Sequence, residues 1–214
     1  MLQHERQAWT AGHRFVAGVD EAGRGPLAGP VVAAAVHIDR YFLESESAGF
    51  FSGLKDSKQL TAPQRERFFQ QFTAHALIRW GVGVAEVAEI DLINILRSTH
   101  NAMARALDRI MPEIDLALVD GLPVAGLPCK STAIVDGDEQ SCLIAAASVI
   151  AKVTRDRMML ELDQQFPQYG FARHKGYGTA EHLEALRAHG PCACHRRSFE
   201  PVRQAHINFG TATP

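Results

Sequence analysis

The chain has 214 residues, of which 46% are hydrophobic and 21% charged, enough for one well-buried core but not for two ordinary domains. The first residues lack the apolar run of a signal peptide, and no stretch approaches the roughly 18 apolar residues of a membrane helix. We therefore expect a single domain over 1–214, with its core at about 14–203, in a soluble cytoplasmic protein. Four cysteines do not make a disulfide framework here, and the net charge of -2 does not point to nucleic acid.

The first predicted elements are two strands joined by a tight turn. Residues 15–19 run into Asp20, and 31–38 are again rich in residues typical of strands, with a segment rich in Gly and Pro between them. Thr61 is a good helix N-cap, and the Pro and Phe residues after it predict a helix from about 62 to 75. A third strand is predicted at 77–85.

The middle of the chain predicts one long helix and a fourth strand. From Glu89, apolar residues keep an approximate helical period until Pro112 stops it. Residues 116–119 then form a strand that ends at Asp120, followed by a loop at 121–130.

The last third of the chain predicts a short strand and two further helices. The short strand is expected at 133–135, and a long helix should begin near Ser141. A final clear helix is capped by Thr179 and ends at Gly190. The whole predicts an α/β domain with a mixed sheet led by the two N-terminal strands, flanked by helices, and with a C-terminal helical portion along one side of a substrate groove.

Four acids are the first candidates for chemistry. Asp20 and Glu21 follow an apolar strand, Asp120 ends another, and Asp138 precedes the long helix. Neighbouring strand residues point to opposite faces, so Asp20 and Glu21 reach one metal only if the chain bends or one bridges from the edge. Taken singly, Asp120 and Asp138 could equally be turn or cap residues.

A set of carboxylates suits the hydrolysis of phosphodiesters. This reaction needs an activated water on one side and a stabilised leaving oxygen on the other, and two oxygen-liganded Mg²⁺ ions can supply both. Carboxylates also bind Mg²⁺ or Mn²⁺ better than thiolates do. Basic residues gather at 173–175 and 195–197, which fits either a footprint for a polyanion or ordinary solvated charges.

Residues 20–30, DEAGRGPLAGP, resemble the opening signature of the type 2 ribonucleases H. The resemblance continues in the same order through DSKQL at 56–60, VDG at 119–121, GD at 137–138, AAASVIAKVTRD at 145–156, HKGYGT at 174–179 and HRRSF at 195–199. It implies a ribonuclease H-like fold. A type 3 enzyme normally carries an extra N-terminal domain, and only about 14 residues precede the first strand here, which favours type 2.

The resemblance also implies roles for particular residues. The metal-binding catalytic acids would be Asp20, Glu21, Asp120 and Asp138, holding Mn²⁺ or Mg²⁺. The residues that recognise a ribonucleotide at an RNA-DNA junction would be Gly23, Arg24, Gly25 and Tyr177. We further expect four basic residues to hold phosphates, namely Lys58, Lys175, Arg196 and Arg197.

The implied activity is endonucleolytic cleavage of the RNA strand of RNA-DNA hybrids and of duplex DNA on the 5′ side of single ribonucleotides. The products would carry a 3′-hydroxyl and a 5′-phosphate. Hybrids and duplex DNA containing ribonucleotides would be the partners of a monomeric protein.

Several alternatives compete with this interpretation. A dinucleotide loop at 23–29 fails on spacing and on the acids before it. A non-catalytic module that binds hybrids, or a Ca²⁺ module, would use the same acids structurally, although the EF-hand order is broken. A zinc site at Cys192, Cys194 and His195 lacks a second spaced ligand pair, which favours incidental thiols. Tyr177 could instead be a half-buried core aromatic.

Overall fold

The computed structural model describes residues 1–46, 49–54 and 57–211. These residues contain one five-stranded sheet and ten α-helices. The strands are β1 (Val16–Ala22), β2 (Val31–Ile38), β3 (Ile78–Ala85), β4 (Leu116–Asp120) and β5 (Lys130–Ile134). The helices are α1 (Gln3–Thr10), α2 (Arg40–Ser45), α3 (Ala62–Ala74), α4 (Val87–Ile93), α5 (Ile95–Asp108), α6 (Gly137–Gln140), α7 (Cys142–Gln165), α8 (Phe171–His174), α9 (Ala180–His189) and α10 (Glu200–Thr211).

The sheet is mixed, with the strand order β3-β2-β1-β4-β5. β2 is antiparallel to β1 and β3, whereas β4 is parallel to β1 and β5 is parallel to β4. Val19 pairs with Val119, so the acids that follow them, Asp20 and Asp120, lie side by side near the carboxyl ends of the neighbouring strands β1 and β4. The predicted mixed sheet led by the N-terminal strands is confirmed.

Helices cover both faces of the sheet. One hydrophobic cluster joins α7 and α3 to one face, and a second joins α5 and α4 to the other, while alternate residues of β2 point into each. Glycine permits close packing on the α7 side, because a Cβ at Gly18 would lie 2.1 Å from the backbone carbonyl carbon of Leu143. The central strand β1 is therefore buried on both faces, which fixes the position of its carboxyl end.

A smaller third cluster lies at the C-terminal side of the molecule. It joins α8, α9 and α10 to Leu27 and Ala28 in the loop between β1 and β2. The predicted C-terminal helical portion therefore holds the loop that follows the first acids. Within the described ranges, no helix has the length and apolar character needed to span a bilayer.

The predicted start of the long helix near Ser141 and the predicted caps at Thr61 and Thr179 are confirmed. The hydroxyl of Ser141 accepts the backbone N–H of Ile144 at 3.2 Å, and α7 begins at the next residue. Thr61 forms a capping box with Gln64 at the start of α3, and Thr179 caps α9.

The single helix predicted from Glu89 to Pro112 is wrong. The chain forms α4 and α5 instead, separated by Asn94, which has a positive φ of 79° and accepts the backbone N–H of Arg97 at 3.0 Å. The apolar period continues across the break because both helices bury residues in the same cluster. The short strand predicted at 133–135 is also shifted, since β5 runs from Lys130 to Ile134.

The short N-terminal helix α1 and the C-terminal α10 were not among the predicted elements. A buried acid anchors α1: the carboxylate of Glu5 accepts the Ser141 hydroxyl at 2.6 Å and the Leu143 N–H at 3.1 Å. Both partners belong to the start of α7, so α1 fixes the helix that packs across β1.

Candidate active site

Three of the four predicted acids form one cluster at the carboxyl edge of the sheet. Carboxylate oxygens of Asp20, Asp120 and Asp138 all lie within 4.8 Å of one another. Asp20 comes from β1, Asp120 ends β4 and Asp138 belongs to α6. The fourth acid, Glu21, lies outside this cluster but lines the same cleft as Asp20 and Asp120. Its carboxylate accepts the guanidinium of Arg24 at 3.2 Å.

Backbone hydrogen bonds position the acids. Asp20 accepts the N–H of Glu21 at 2.6 Å, and Asp120 accepts the N–H of Gly137 at 2.7 Å. Gly137 is buried against Asp120 and follows Asp136, whose φ of 53° turns the chain into α6. The bond from Gly137 therefore ties the start of α6, and with it Asp138, to the end of β4.

Burial makes this cluster electrostatically costly. Asp20 is 4% exposed, and its burial, together with the charges of Glu21 and Asp120, raises its pKa well above the ordinary value. Burial also raises the pKa of Glu21, while Arg24 acts against it. Lys58 places its ammonium 3.6 Å from Asp138. Several close carboxylate oxygens in a poorly solvated site are the donor set that suits a hard divalent cation such as Mg²⁺ or Mn²⁺.

The raised pKa of Asp20 gives a prediction about stability without metal. For an acid whose folded pKa is raised, stability is fully present below the unfolded pKa and is lost as the pH rises through the folded pKa. In chelator at neutral pH, Asp20→Asn should therefore have a higher Tm than the wild type. The difference in Tm between the variant and the wild type should shrink as the pH falls toward the ordinary pKa of aspartate. Mn²⁺ should raise the Tm of the wild type and do so much less in the variant.

Thermal unfolding with chelator and with Mn²⁺, at several pH values, measures both effects. A wild type that is as stable as Asp20→Asn in chelator at neutral pH would contradict the electrostatic strain inferred at this cluster.

The loop between β1 and β2 is held by two buried arginines. Gly23 has a φ of 100°, and a Cβ there would lie 2.0 Å from Nε of Arg155, so only glycine fits. Arg155 donates to the carbonyls of Pro30, Ala28 and Lys175 at 3.0, 3.1 and 3.0 Å. Arg196 donates to the carbonyls of Gly23, Arg24, Pro26 and Gly29 at 2.6, 2.9, 2.8 and 2.9 Å.

The prediction that Arg196 binds phosphate is therefore wrong. Its side chain is fully buried, and burial lowers its pKa to about 9, with the charge of Arg155 acting in the same direction. All three guanidinium nitrogens donate to loop carbonyls, so the group is neither exposed nor available to a substrate. Arg196 is a brace for the Gly23–Gly29 loop.

The other basic residues predicted to bind phosphate are placed differently. Lys58 is exposed and lines the cleft. Arg197 is also exposed, while its backbone N–H donates to Asp91 at 2.9 Å. Lys175 is half-buried, donates to the carbonyl of Ala172 at 2.5 Å and does not line the cleft. Phosphate binding by these three lysine and arginine side chains stays a prediction.

Tyr177 stands at the rim of the cleft, 48% exposed. A Cβ at Gly25 would lie 3.7 Å from Cε1 of the tyrosine ring, so the ring and the glycine are in van der Waals reach. The residues predicted to recognise a ribonucleotide, Gly23, Arg24, Gly25 and Tyr177, all line this one cleft of about 380 Å³ together with Asp20, Glu21 and Asp120. The alternative of a core aromatic does not fit this placement.

The sequence reasoning missed several cleft residues. Ser148 and Lys152 line the cleft from α7, and Arg65 lines it from α3. Ser148 is buried and donates to the hydroxyl of Ser57 at 2.6 Å, while Lys152 pairs with Asp156 at 2.7 Å. The spacing of four residues between Ser148 and Lys152 places them on one face of the helix, and this was the available signal. Asp56, in the 56–60 segment of the resemblance, lies outside the described residues.

The thiols judged incidental are brought together with a histidine. Sγ of Cys192, Sγ of Cys194 and Nδ1 of His195 lie within 4.8 Å of one another. This group stands apart from the residues that line the cleft. The zinc alternative at these residues stays a hypothesis.

Comparison with known proteins gives one consistent family. Residues 17–202 match the family model described as Ribonuclease HII. The chain is 56% identical over 191 residues to Ribonuclease HII of Burkholderia thailandensis, covering 89% of this chain and 86% of that protein. It is 50% identical over 204 residues to Ribonuclease HII of Geobacillus kaustophilus, covering 95% and 75%.

A solved structure agrees with the sequence matches. The ribonuclease H2 of Pyrococcus horikoshii OT3 superposes with a TM-score of 0.76 at 30% identity, covering 92% of this chain and 99% of that one. The mixed sheet flanked by helices is thus the ribonuclease H-like fold that the sequence implied. The chain belongs to the ribonuclease HII family and is a ribonuclease H enzyme.

Proposed function

We propose that this enzyme hydrolyses the RNA strand of RNA-DNA hybrids and cuts duplex DNA on the 5′ side of a single ribonucleotide, leaving a 3′-hydroxyl and a 5′-phosphate. One observation carries the proposal. The Gly23–Gly25 backbone and the Tyr177 ring line the same cleft as Asp20 and Asp120. Groups that can contact a sugar therefore lie beside acids that can bind a metal ion.

The acids fit a role as metal ligands. Asp20, Asp120 and Asp138 would hold Mg²⁺ or Mn²⁺, with Glu21 contributing from the neighbouring position on β1. When bound, such ions supply an activated water and stabilise the leaving oxygen of a phosphodiester. The non-catalytic alternative loses support, because the family consists of enzymes.

The loop can distinguish RNA from DNA by its backbone. A 2′-hydroxyl both donates and accepts hydrogen bonds, and glycines let backbone groups approach a sugar closely. Gly25 is exposed beside Tyr177, whose ring can lie against a neighbouring sugar. Arg155 and Arg196 hold the loop in this conformation by donating hydrogen bonds to its carbonyl groups. A deoxyribose offers no hydroxyl to these groups.

Positive side chains at the cleft suit the phosphate backbone. Lys58, Arg65 and Lys152 line it. Arg197 is exposed and follows the loop brace Arg196 in the sequence, but it does not line the cleft. Contacts of this kind fix the register of the duplex without reading its bases. Lys175 would contribute only after its bond to Ala172 is exchanged for a phosphate.

Tyr177→Ala tests the recognition of the junction. The variant loses an aromatic contact and no carboxylate, so cutting at a single ribonucleotide should fall on the order of tenfold, as for an aromatic stacking contact. Binding of Mn²⁺ should be unchanged. Tyr177→Phe is the matched control, since it keeps the ring and should retain most cutting. The measurement is the initial rate on a duplex with one ribonucleotide, below saturation.

Equal rates for Tyr177→Ala and the wild type under those conditions would contradict a role for Tyr177 in recognising the junction. Loss of Mn²⁺ binding in Tyr177→Ala would instead show that the variant disturbs the acids.

Arg197→Ala tests the phosphate contact. If the side chain holds one phosphate, the slope of log K against log[salt] should decrease in magnitude by about 1. Arg79→Ala is the control, because Arg79 lies two strands away from β1, beside its amino end, and its guanidinium pairs with Glu113 rather than lining the cleft. Binding of a hybrid measured over a range of salt gives both slopes. A slope that Arg197→Ala leaves unchanged makes that residue a bystander.

A further inference from the structure

A tight turn places two thiols in contact outside the cleft. Residues 192–195 form a β-turn, in which the N–H of His195 donates to the carbonyl of Cys192 at 3.1 Å. The turn sets Sγ of Cys192 3.1 Å from Sγ of Cys194. A disulfide requires an S–S distance of about 2.05 Å, so the two sulfurs must approach by about 1 Å to bond.

The turn is fixed from several sides. The N–H of Gly29 donates to the carbonyl of Cys194 at 2.9 Å, and the N–H of Cys192 donates to Nδ1 of His195 at 3.0 Å. Nε2 of His195 lies 3.0 Å from Nε2 of His182 and shares a hydrogen bond with it. These bonds hold the backbone on both sides of the thiols, so the sulfurs are kept in contact by the fold.

The two thiols have unequal surroundings. Cys192 is half-buried, and its sulfur lies 3.1 Å from Nδ1 of His195, whereas Cys194 is 8% exposed. The hydrogen bond from the Cys194 thiol lowers the pKa of Cys192 below the ordinary range of a thiol. The same bond raises the pKa of Cys194. Cys192 is thus the accessible nucleophile and Cys194 the buried partner.

We propose that Cys192 and Cys194 form a redox-active dithiol that closes to an intrachain disulfide when it meets a low-molecular-weight disulfide. The Cys192 thiolate attacks one sulfur of the reagent, forms a mixed disulfide and releases one thiolate. Cys194 then loses its proton and attacks Cys192, and the S–S bond to the reagent breaks. The reagent takes up two electrons and leaves as two thiols, while the two cysteines are oxidised to one disulfide.

A disulfide fits this turn better than a zinc ion. The cluster contains three donors among the described residues, and a structural zinc site takes four. The third donor, Nδ1 of His195, already accepts the N–H of Cys192. A metal would need that bond broken, whereas the disulfide needs only the two sulfurs.

The test is differential alkylation and peptide mapping of the full-length protein, before and after incubation with glutathione disulfide. Trypsin releases Cys192 and Cys194 on one peptide, 188–196, with Cys129 on 110–130 and Cys142 on 131–152. After oxidation, peptide 188–196 should resist alkylation and be lighter by two hydrogens, and dithiothreitol should restore both thiols. Cys129 and Cys142 should be alkylated after unfolding in either state.

Serine variants separate the steps. Cys194→Ser should trap a lasting glutathione adduct on Cys192, whereas Cys192→Ser should leave Cys194 without one. Cys129→Ser is the matched control and should form the disulfide like the wild type. The proposal is overturned if peptide 188–196 keeps two alkylated cysteines after oxidation, or ends as a glutathione adduct in the wild type. Stoichiometric zinc that shields both thiols until chelation would also overturn it, in favour of a metal site.

Discussion

Asp20→Asn is expected to remove nearly all hydrolysis while the protein stays folded. The carboxylate of Asp20 belongs to the cluster with Asp120 and Asp138. Asp20 also lines the cleft, as Glu21 does. A neutral amide is a poor ligand for Mg²⁺. We expect a loss of more than about 100-fold in kcat, beyond the upper end for residues that only orient a ligand. Asp120→Asn should behave in the same way.

A control for this variant lies beside the cluster. Asp136 is exposed and has a positive φ, a conformation that asparagine adopts readily. Asp136→Asn therefore makes the same chemical change two residues from Asp138 without touching the three clustered acids. It should keep near wild-type activity. If Asp20→Asn folds and turns over as fast as Asp136→Asn, the acids are not the reaction site. Glu21 and Asp138 variants should give graded losses.

Arg196→Ala is expected to give the largest loss of stability. The change removes the donor for the carbonyls of Gly23, Arg24, Pro26 and Gly29. Leaving a buried acceptor unsatisfied costs about 1–3 kcal/mol, so even with water reaching some of the four the loss should be on the order of 3 kcal/mol. Denaturant unfolding of the variant measures this free energy.

The neighbouring arginine is the matched control. Arg197 is exposed, and Arg197→Ala should change the free energy of unfolding by no more than about 0.5 kcal/mol. Equal stability of the two variants would contradict the bracing role of Arg196. Because the braced loop carries the groups that would meet the sugar, Arg196→Ala should also weaken cutting at a single ribonucleotide in the fraction that remains folded.

The strand-end acids could be predicted because their signal is local. An apolar run ending in Asp at residues 20 and 120 predicts a strand with an acid at its carboxyl end, and parallel pairing then brings the two ends together. Caps were predictable for the same reason, as with Thr61 at the start of α3. These features depend on a few adjacent residues and survive any error in the long-range arrangement.

The errors come from properties that only packing decides. The charge of Arg196 is visible in the sequence. The direction in which its side chain points is set by loop carbonyls much earlier in the chain, such as that of Gly23, 173 residues before it. The break at Asn94 was hidden because α4 and α5 bury one continuous apolar face. The contact between Cys192 and Cys194 arises from a turn that ligand spacing does not describe.

The most direct test of the account is cleavage mapping on duplex DNA that contains one ribonucleotide, with the strand labelled at its 5′ end. The assay is run with Mg²⁺, with chelator, and beside an all-DNA duplex of the same sequence. We expect a single cut on the 5′ side of the ribonucleotide, only with metal, and an intact all-DNA duplex. Cutting confined to long hybrids, or equal cutting of the all-DNA duplex, would contradict this expectation.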